Sequence, residues 1–327
     1  MEIIICEYES YSMKLLTALK SILFLSVVLL IIALAIDVLD ASEPDISRGK
    51  EIYAANCRGC HGRNGDGNGL AARYLDPLPR DFTKGKFKFR TTPSGSLPTD
   101  ENISKIIRDG VRRTSMPGWK HILGKKDISD VVGYIKTFSE KFVLQDPSPE
   151  VVIPNEAPDP TKDTIYEGKM IYMLMECWSC HGPNGRADGP NATGLKDDWD
   201  IPILLPDFQY DAFKGGEEPQ EIYRTFSTGL SGTPMPAYED DLFGYARENV
   251  VGDYTSLTKS YSNKEIKVFE DWAKTMVTED ELYSKDEDEM YDVFRQRKWA
   301  LVHYVNSLRE KKGILHTLFV KDYELTQ

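Results

Sequence analysis

One short pattern occurs twice in this 327-residue chain, as CRGCH at 57–61 and CWSCH at 177–181. Four of the five cysteines lie in these clusters, and the fifth is Cys6. A disulfide framework spreads its cysteines more evenly, so the clusters point to a local chemical task. Setting the clusters in register exposes a longer repeat. Gly49, Lys50, Ile52 and Tyr53 answer Gly168, Lys169, Ile171 and Tyr172, with one extra residue before Cys177. PRDF at 79–82 answers LPDF at 205–208, and TSMPGW at 114–119 answers GTPMPAY at 232–238. His61 to Met116 is 55 residues and His181 to Met235 is 54. The chain therefore has to fold as two related units.

Each unit reads as helical. The opening stretches are 47–56 and 164–176, and each is followed, just past the His, by a turn region rich in Gly and Asn. A middle helix precedes each Met. In the first unit Thr99 is its N-cap and Gly110 its stop. Closing helices cover 125–142 and 293–312, with Tyr134 and Tyr304 on their apolar faces. Between the units, five prolines in 143–161 make a stiff, extended linker. The expected architecture is all-α. Residues 1–41 form an export signal or N-terminal membrane anchor, 42–142 the first domain, 143–160 the linker and 161–327 the second domain. That second domain carries an acidic insertion at about 237–292. Within the insertion, Ile266, Phe269, Ala273 and Met276 share one helical face. Two readings of the insertion stand: a cap on its own domain, or an acidic docking surface.

The net charge of −12 argues against nucleic acid as a partner and hides an asymmetry. Residues 45–140 carry a net +7 and residues 160–327 a net −12, which suggests that the two halves face different proteins. Near the N-terminus, Lys14 and Lys20 precede an apolar run over 21–36, and Ala41 offers a cleavage position. The run is intermediate in length between a signal core and a spanning helix. The two units beyond it are expected in the periplasm or an equivalent compartment, with a membrane link only if that segment is retained.

Three chemistries compete for each cluster. A redox dithiol belongs at the start of a helix after a strand, and the flanks here are helix and turn. A closed zinc site needs four ligands, and each cluster supplies at most three. C-x-x-C-H is also the attachment signature of covalent haem. There two thiols add to the porphyrin vinyl groups and the adjacent His faces the iron.

On GKEIYAANCRGCHG with TSMPGW, and on GKMIYMLMECWSCHG with TPMPAY, the chain resembles a c-type cytochrome built from two class I, monohaem-type domains. The resemblance implies two covalently attached haem c groups, on Cys57 and Cys60 and on Cys177 and Cys180. It implies axial ligands His61 with Met116 and His181 with Met235. A thioether ligand favours reduced iron. His121 competes with Met116, and Met276, Met290 and His303 compete with Met235. Pro234 and Pro236 favour Met235 by holding it in a loop. The resemblance also implies that Gly49 and Gly168 let the closing helix approach, with Tyr53, Tyr172, Tyr134 and Tyr304 packed at the crossing. Pro79 and Pro206 are candidate carbonyl acceptors for the two imidazoles. Trp119 and Tyr238 are candidates for packing at the haem edge, and Arg63, Arg73, Arg80 and Arg90 for offsetting propionate charge.

The function implied is single-electron transfer between redox proteins, with no catalytic residue of its own. A molybdenum oxidoreductase, a quinol-oxidising complex or a terminal oxidase fits as the partner assembly. The alternatives are a di-haem peroxidase, which needs a releasable sixth position and acid–base groups above the iron, and a ferrous-haem gas sensor.

Overall fold

The computed structural model describes residues 19–27, 43–238, 245–252 and 254–309. Of the expected leader, 19–27 is helical; most of the apolar run, Ala41 and Cys6 lie outside the described residues. Among the described residues no helix is long and apolar enough to cross a membrane.

The first unit is built from α1 (Ile46–Asn56), the one-turn α2 (Arg58–His61), α3 (Asp100–Asp109) and α4 (Lys125–Lys136). Asp45 caps α1, its carboxylate accepting from the Arg48 N–H. Thr99 and Asn102 cap the start of α3 reciprocally, and Gly110 ends it at φ 73°. α1 crosses α4, and α3 packs on α4 beside them. Where α1 meets α4 the backbones nearly touch: a Cβ on Gly49 would lie 2.0 Å from the Asp130 carbonyl oxygen. No side chain fits there. Tyr53 then meets Tyr134 edge-on at 5.4 Å. α4 stops at Lys136, earlier than the sequence suggests, and a single turn α5 (Lys141–Leu144) follows.

The second unit repeats this plan with α6 (Lys162–Leu174), α7 (Trp178–His181), α8 (Pro219–Thr228) and α12 (Glu287–Leu308). A Cβ on Gly168 would lie 1.9 Å from the Ala300 carbonyl oxygen, and Tyr172 meets Tyr304 at 5.2 Å. α12 begins before the stretch expected from sequence because Asp286 caps it and three acids, Glu287 to Glu289, fill its first turn. The extra residue before Cys177 is absorbed by Glu176, which adopts φ 53°. As a result the Cys177 N–H reaches back five residues to Tyr172, where the Cys57 N–H reaches back four to Tyr53.

The insertion contributes α9 (Arg247–Val250), α10 (Asn263–Ala273) and α11 (Glu279–Tyr283). Ile266, Phe269 and Ala273 are buried on one face of α10, as their spacing requires; α10 ends at Ala273, so Met276, also buried, lies beyond the helix and not on that face. α10 packs on α6, and Tyr261 meets the buried Trp178 of α7 edge-on at 5.8 Å. The described part of the insertion therefore buttresses the second cluster from outside. Several of its acids have a structural task at helix starts, Glu265 and Glu281 among them.

The two units are in contact, and part of the charge asymmetry is used between them. Lys86 pairs with Asp198, Lys105 with Glu221 and Arg112 with Glu217, and Arg113 lies 2.8 Å from Asp211. Arg90, 1% exposed, donates to the Thr228 carbonyl at 2.8 Å. The linker is laid along both units: the Val151 N–H reaches the Thr91 carbonyl at 2.7 Å, and the Pro158 carbonyl accepts from His303 at 2.9 Å.

Candidate functional site

Each C-x-x-C-H cluster forms one helical turn directly after the opening helix. The turn ends at a glycine with positive φ, Gly62 at 82° and Gly182 at 79°. The carbonyls of these glycines accept from buried tyrosine hydroxyls, Tyr53 at 2.8 Å and Tyr172 at 2.7 Å. A second tie fixes the loop beyond: Phe82 N–H to the Gly65 carbonyl, and Phe208 N–H to the Gly185 carbonyl, each 2.7 Å. Phe82 thereby stacks on His61 and Phe208 tilts against His181, both at 4.5 Å. None of these four cysteines is in a disulfide, and all four are half-buried. Among the described residues no group of three or more His, Cys, Asp or Glu side chains converges to hold a bare metal ion.

The Met loops are built alike. Val111 N–H reaches the Met116 carbonyl at 3.0 Å, and Leu230 N–H reaches the Met235 carbonyl at 3.1 Å. Thr114 Oγ1 accepts from the Met116 N–H at 3.1 Å and donates to the Val111 carbonyl at 2.7 Å. Thr233 makes the corresponding bonds around Met235 at 3.2 and 2.8 Å. Sequence reading missed this hydroxyl brace, although a Thr two residues before each Met was its signal. Trp119 and Tyr238 are likewise tied to the middle helices, through Ile107 and Phe226 carbonyls at 2.9 and 2.8 Å.

In the second unit Cys177, Cys180 and His181 line one cavity with Met235, Tyr238 and Phe226. The competing donors are engaged elsewhere. Met276 is buried in the core, Met290 packs in a separate small cluster, and both His303 nitrogens are bonded, to Thr164 and Pro158. His121 is exposed.

The acceptor for His61 needs correction. Its Nδ1 donates to the carbonyl of Arg80 at 3.1 Å, and Pro79 is not the acceptor. In the repeat register Arg80 corresponds to Pro206, yet His181 Nδ1 is buried without a hydrogen-bond partner. The segment from His181 to Pro206 is six residues longer than that from His61 to Arg80, so the second loop follows a different path. Burial lowers the pKa of both imidazoles, that of His181 to about 4. Each ring is therefore neutral and has a nitrogen lone pair for a metal. Of the arginines considered for propionate, Arg63 and Arg73 are exposed. Arg80 lies over Trp199, and Arg90 ties the two units together.

Paired thiols and a neutral, desolvated imidazole on one helical turn suit a covalently held porphyrin, and in the second unit they line a cavity walled by aromatic and aliphatic side chains. The same turn occurs in both units, which defines a two-centre haem protein. The comparisons agree. Residues 44–135 match the family described as cytochrome C oxidase, cbb3-type, subunit III, and residues 165–250 match cytochrome c. A solved structure from Kuenenia stuttgartiensis, titled reducing HAO-like protein complex Kustc0457/Kustc0458, contains a similar chain. The two are 38% identical with a TM-score of 0.62, over 80% of this chain and 96% of that one. The chain belongs to the cytochrome c family as a tandem, all-α, di-haem member with two covalently attached haem c groups, and its role is electron transfer.

Proposed function

We propose that this cytochrome passes single electrons within an extracytoplasmic oxidoreductase complex, with axial pairs His61–Met116 and His181–Met235. The observation that carries the reading is the shared construction of the two Met loops, with the same threonine brace in each. When bound, haem iron supplies reversible one-electron chemistry. The Arg80 carbonyl holds the proton of His61 on Nδ1 and leaves the Nε2 lone pair free for a ligand bond. Thr114 and Thr233 pre-set each loop, so little ordering remains when the sulfur engages. Phe208, Phe226 and Tyr238 line the second site with aromatic surface.

The solved Kuenenia stuttgartiensis structure, in which a similar chain belongs to an HAO-like protein complex, supports an HAO-like redox protein as the partner class. Exposed acids on the first turns of α11 and α12, Glu279, Asp280, Glu287 and Asp288, offer a negative docking face. Purification of the native protein at low salt, with mass spectrometry of the proteins that co-elute, tests this. A haem-containing oxidoreductase at fixed stoichiometry supports the proposal. A monomeric cytochrome that exchanges electrons with no such enzyme contradicts it. Neutralising the four acids is expected to weaken the association at low salt.

A further inference from the structure

The cavity that holds Cys177, His181 and Met235 is not closed by the second domain alone. Lys88, Phe89 and Arg113 of the first domain line it, together with Lys214 of the second. Lys88 and Lys214 are half-buried, and neither ammonium makes a hydrogen bond or ion pair among the described residues. Burial lowers the pKa of both, that of Lys88 to about 8; Arg80 and Lys214 add repulsion at Lys88 and Arg113 at Lys214, against partial offset from Asp197 at the first and from Asp76 and Asp211 at the second. Like charges gathered in a desolvated pocket are costly unless an anion joins them. The only acid lining the cavity among the described residues is Glu176, which adjoins Cys177 in sequence.

Arg113 gives an independent sign that this end of the cavity is built for a purpose. Its φ is 54°, in the left-handed region. Aligning Met116 with Met235 puts Arg113 opposite Gly232, whose φ is 80°. The fold needs a left-handed residue at that place in both loops. In the first domain it is an arginine, which bears a conformational cost that glycine avoids. Its guanidinium reaches across the domain boundary to Asp211 at 2.8 Å and to the wall of the second cavity.

Porphyrin carries its two carboxylates on the edge opposite the vinyl groups that cysteines capture. We propose that Lys88 and Arg113 of the first domain, with Lys214, are the counter-charges for the propionates of the haem attached at Cys177 and Cys180, so that the second redox site is complete only when the two domains are docked. This rests on the site reading above, in which His181 and Met235 flank that haem. One domain then sets the potential of the other's iron.

The test uses the full chain with both haems and a spectroelectrochemical titration that resolves two waves. Met235→His identifies the second-domain wave by shifting it. Lys88→Gln and the Lys88→Gln, Lys214→Gln pair are expected to move that same wave to lower potential. The oxidised-to-reduced ratio at fixed potential should rise about threefold or more per charge removed. The other wave should hold its position, and Lys88→Arg should restore the original value. If Met235→His moves a wave that the lysine variants leave in place, the counter-charge inference is overturned and the site reading stands. The inference is equally overturned if the lysine variants move the first-domain wave or both waves alike. If Met235→His moves neither wave, the site reading fails and this inference with it.

Discussion

The Arg80 guanidinium lies 4.6 Å from the centre of the Trp199 ring, across the boundary between the two domains. Trp199 also donates its indole N–H to Asp81 at 3.3 Å. The carbonyl of the same Arg80 holds His61. One residue thus links the imidazole of the first site to a side chain of the second domain. A cation–π contact of this kind contributes about 0.5–2 kcal/mol. Trp199→Ala should lower stability by about 2 kcal/mol in a denaturant titration. Trp199→Phe keeps the ring but loses the hydrogen bond, and should cost about 1 kcal/mol. Equal losses for both would mean that the ring face contributes nothing.

The helix crossings should be the least tolerant positions in the chain. A methyl at Gly49 or Gly168 would collide with backbone oxygen, which cannot rotate away. Gly49→Ala and Gly168→Ala should each cost about 3 kcal/mol or more. Thermal melts of the haem-loaded protein would show it. Gly59→Ala, at a position where a Cβ meets nothing within 4 Å, is the control.

The threonine braces make a subtler prediction. Thr114→Val and Thr233→Val keep the side-chain shape and remove two hydrogen bonds each. Loss of about 1 kcal/mol per bond should let the Met loop open more readily. The weak absorption band at the red end that reports Met–iron ligation should then fade at a lower temperature than the global unfolding transition. A band that melts with the fold in both variants would rule the brace out.

Asp130 ties the first and last helices of the first unit and predicts a pH dependence. Burial raises its pKa, but bonds from Lys126, the Asp45 N–H and Arg48 outweigh burial and leave the pKa below the usual carboxylate value. A depressed folded-state value stabilises the protein above the unfolded pKa, and that stability is lost as pH falls through the folded one. Asp130→Asn should therefore be less stable than the parent at pH 7, and the difference should vanish in strong acid. A difference that persists unchanged below the titration range would contradict the assignment.

Much of this was legible in the sequence because the repeat marks it. Gly49 and Gly168 recur four residues before Tyr53 and Tyr172, and both pairs do the same work at a helix crossing. Ile266, Phe269 and Ala273 declared their face through spacing alone, whereas Met276 lies past the end of the helix. The parts that were not legible depend on loop path and domain docking. Choosing Pro79 over Arg80 is a one-residue error that only the course of the 62–80 loop resolves. Summed charge showed a basic half and an acidic half, but not that Lys86, Lys105 and Arg112 spend part of that charge on the other domain. Lys88 and Arg113 are distant in sequence from the second cluster, and nothing local marks them as part of its cavity.

The central claim is that each haem iron is held between an imidazole and a thioether, His61 with Met116 and His181 with Met235. The red-end Met–iron band, measured in Met116→Ala, Met235→Ala and the double variant, tests it most directly. Each single change should remove about half of the band, in keeping with the one-site-per-domain arrangement, and the double change should abolish it while both haems stay covalently attached. A full-strength band in either single variant would contradict the account.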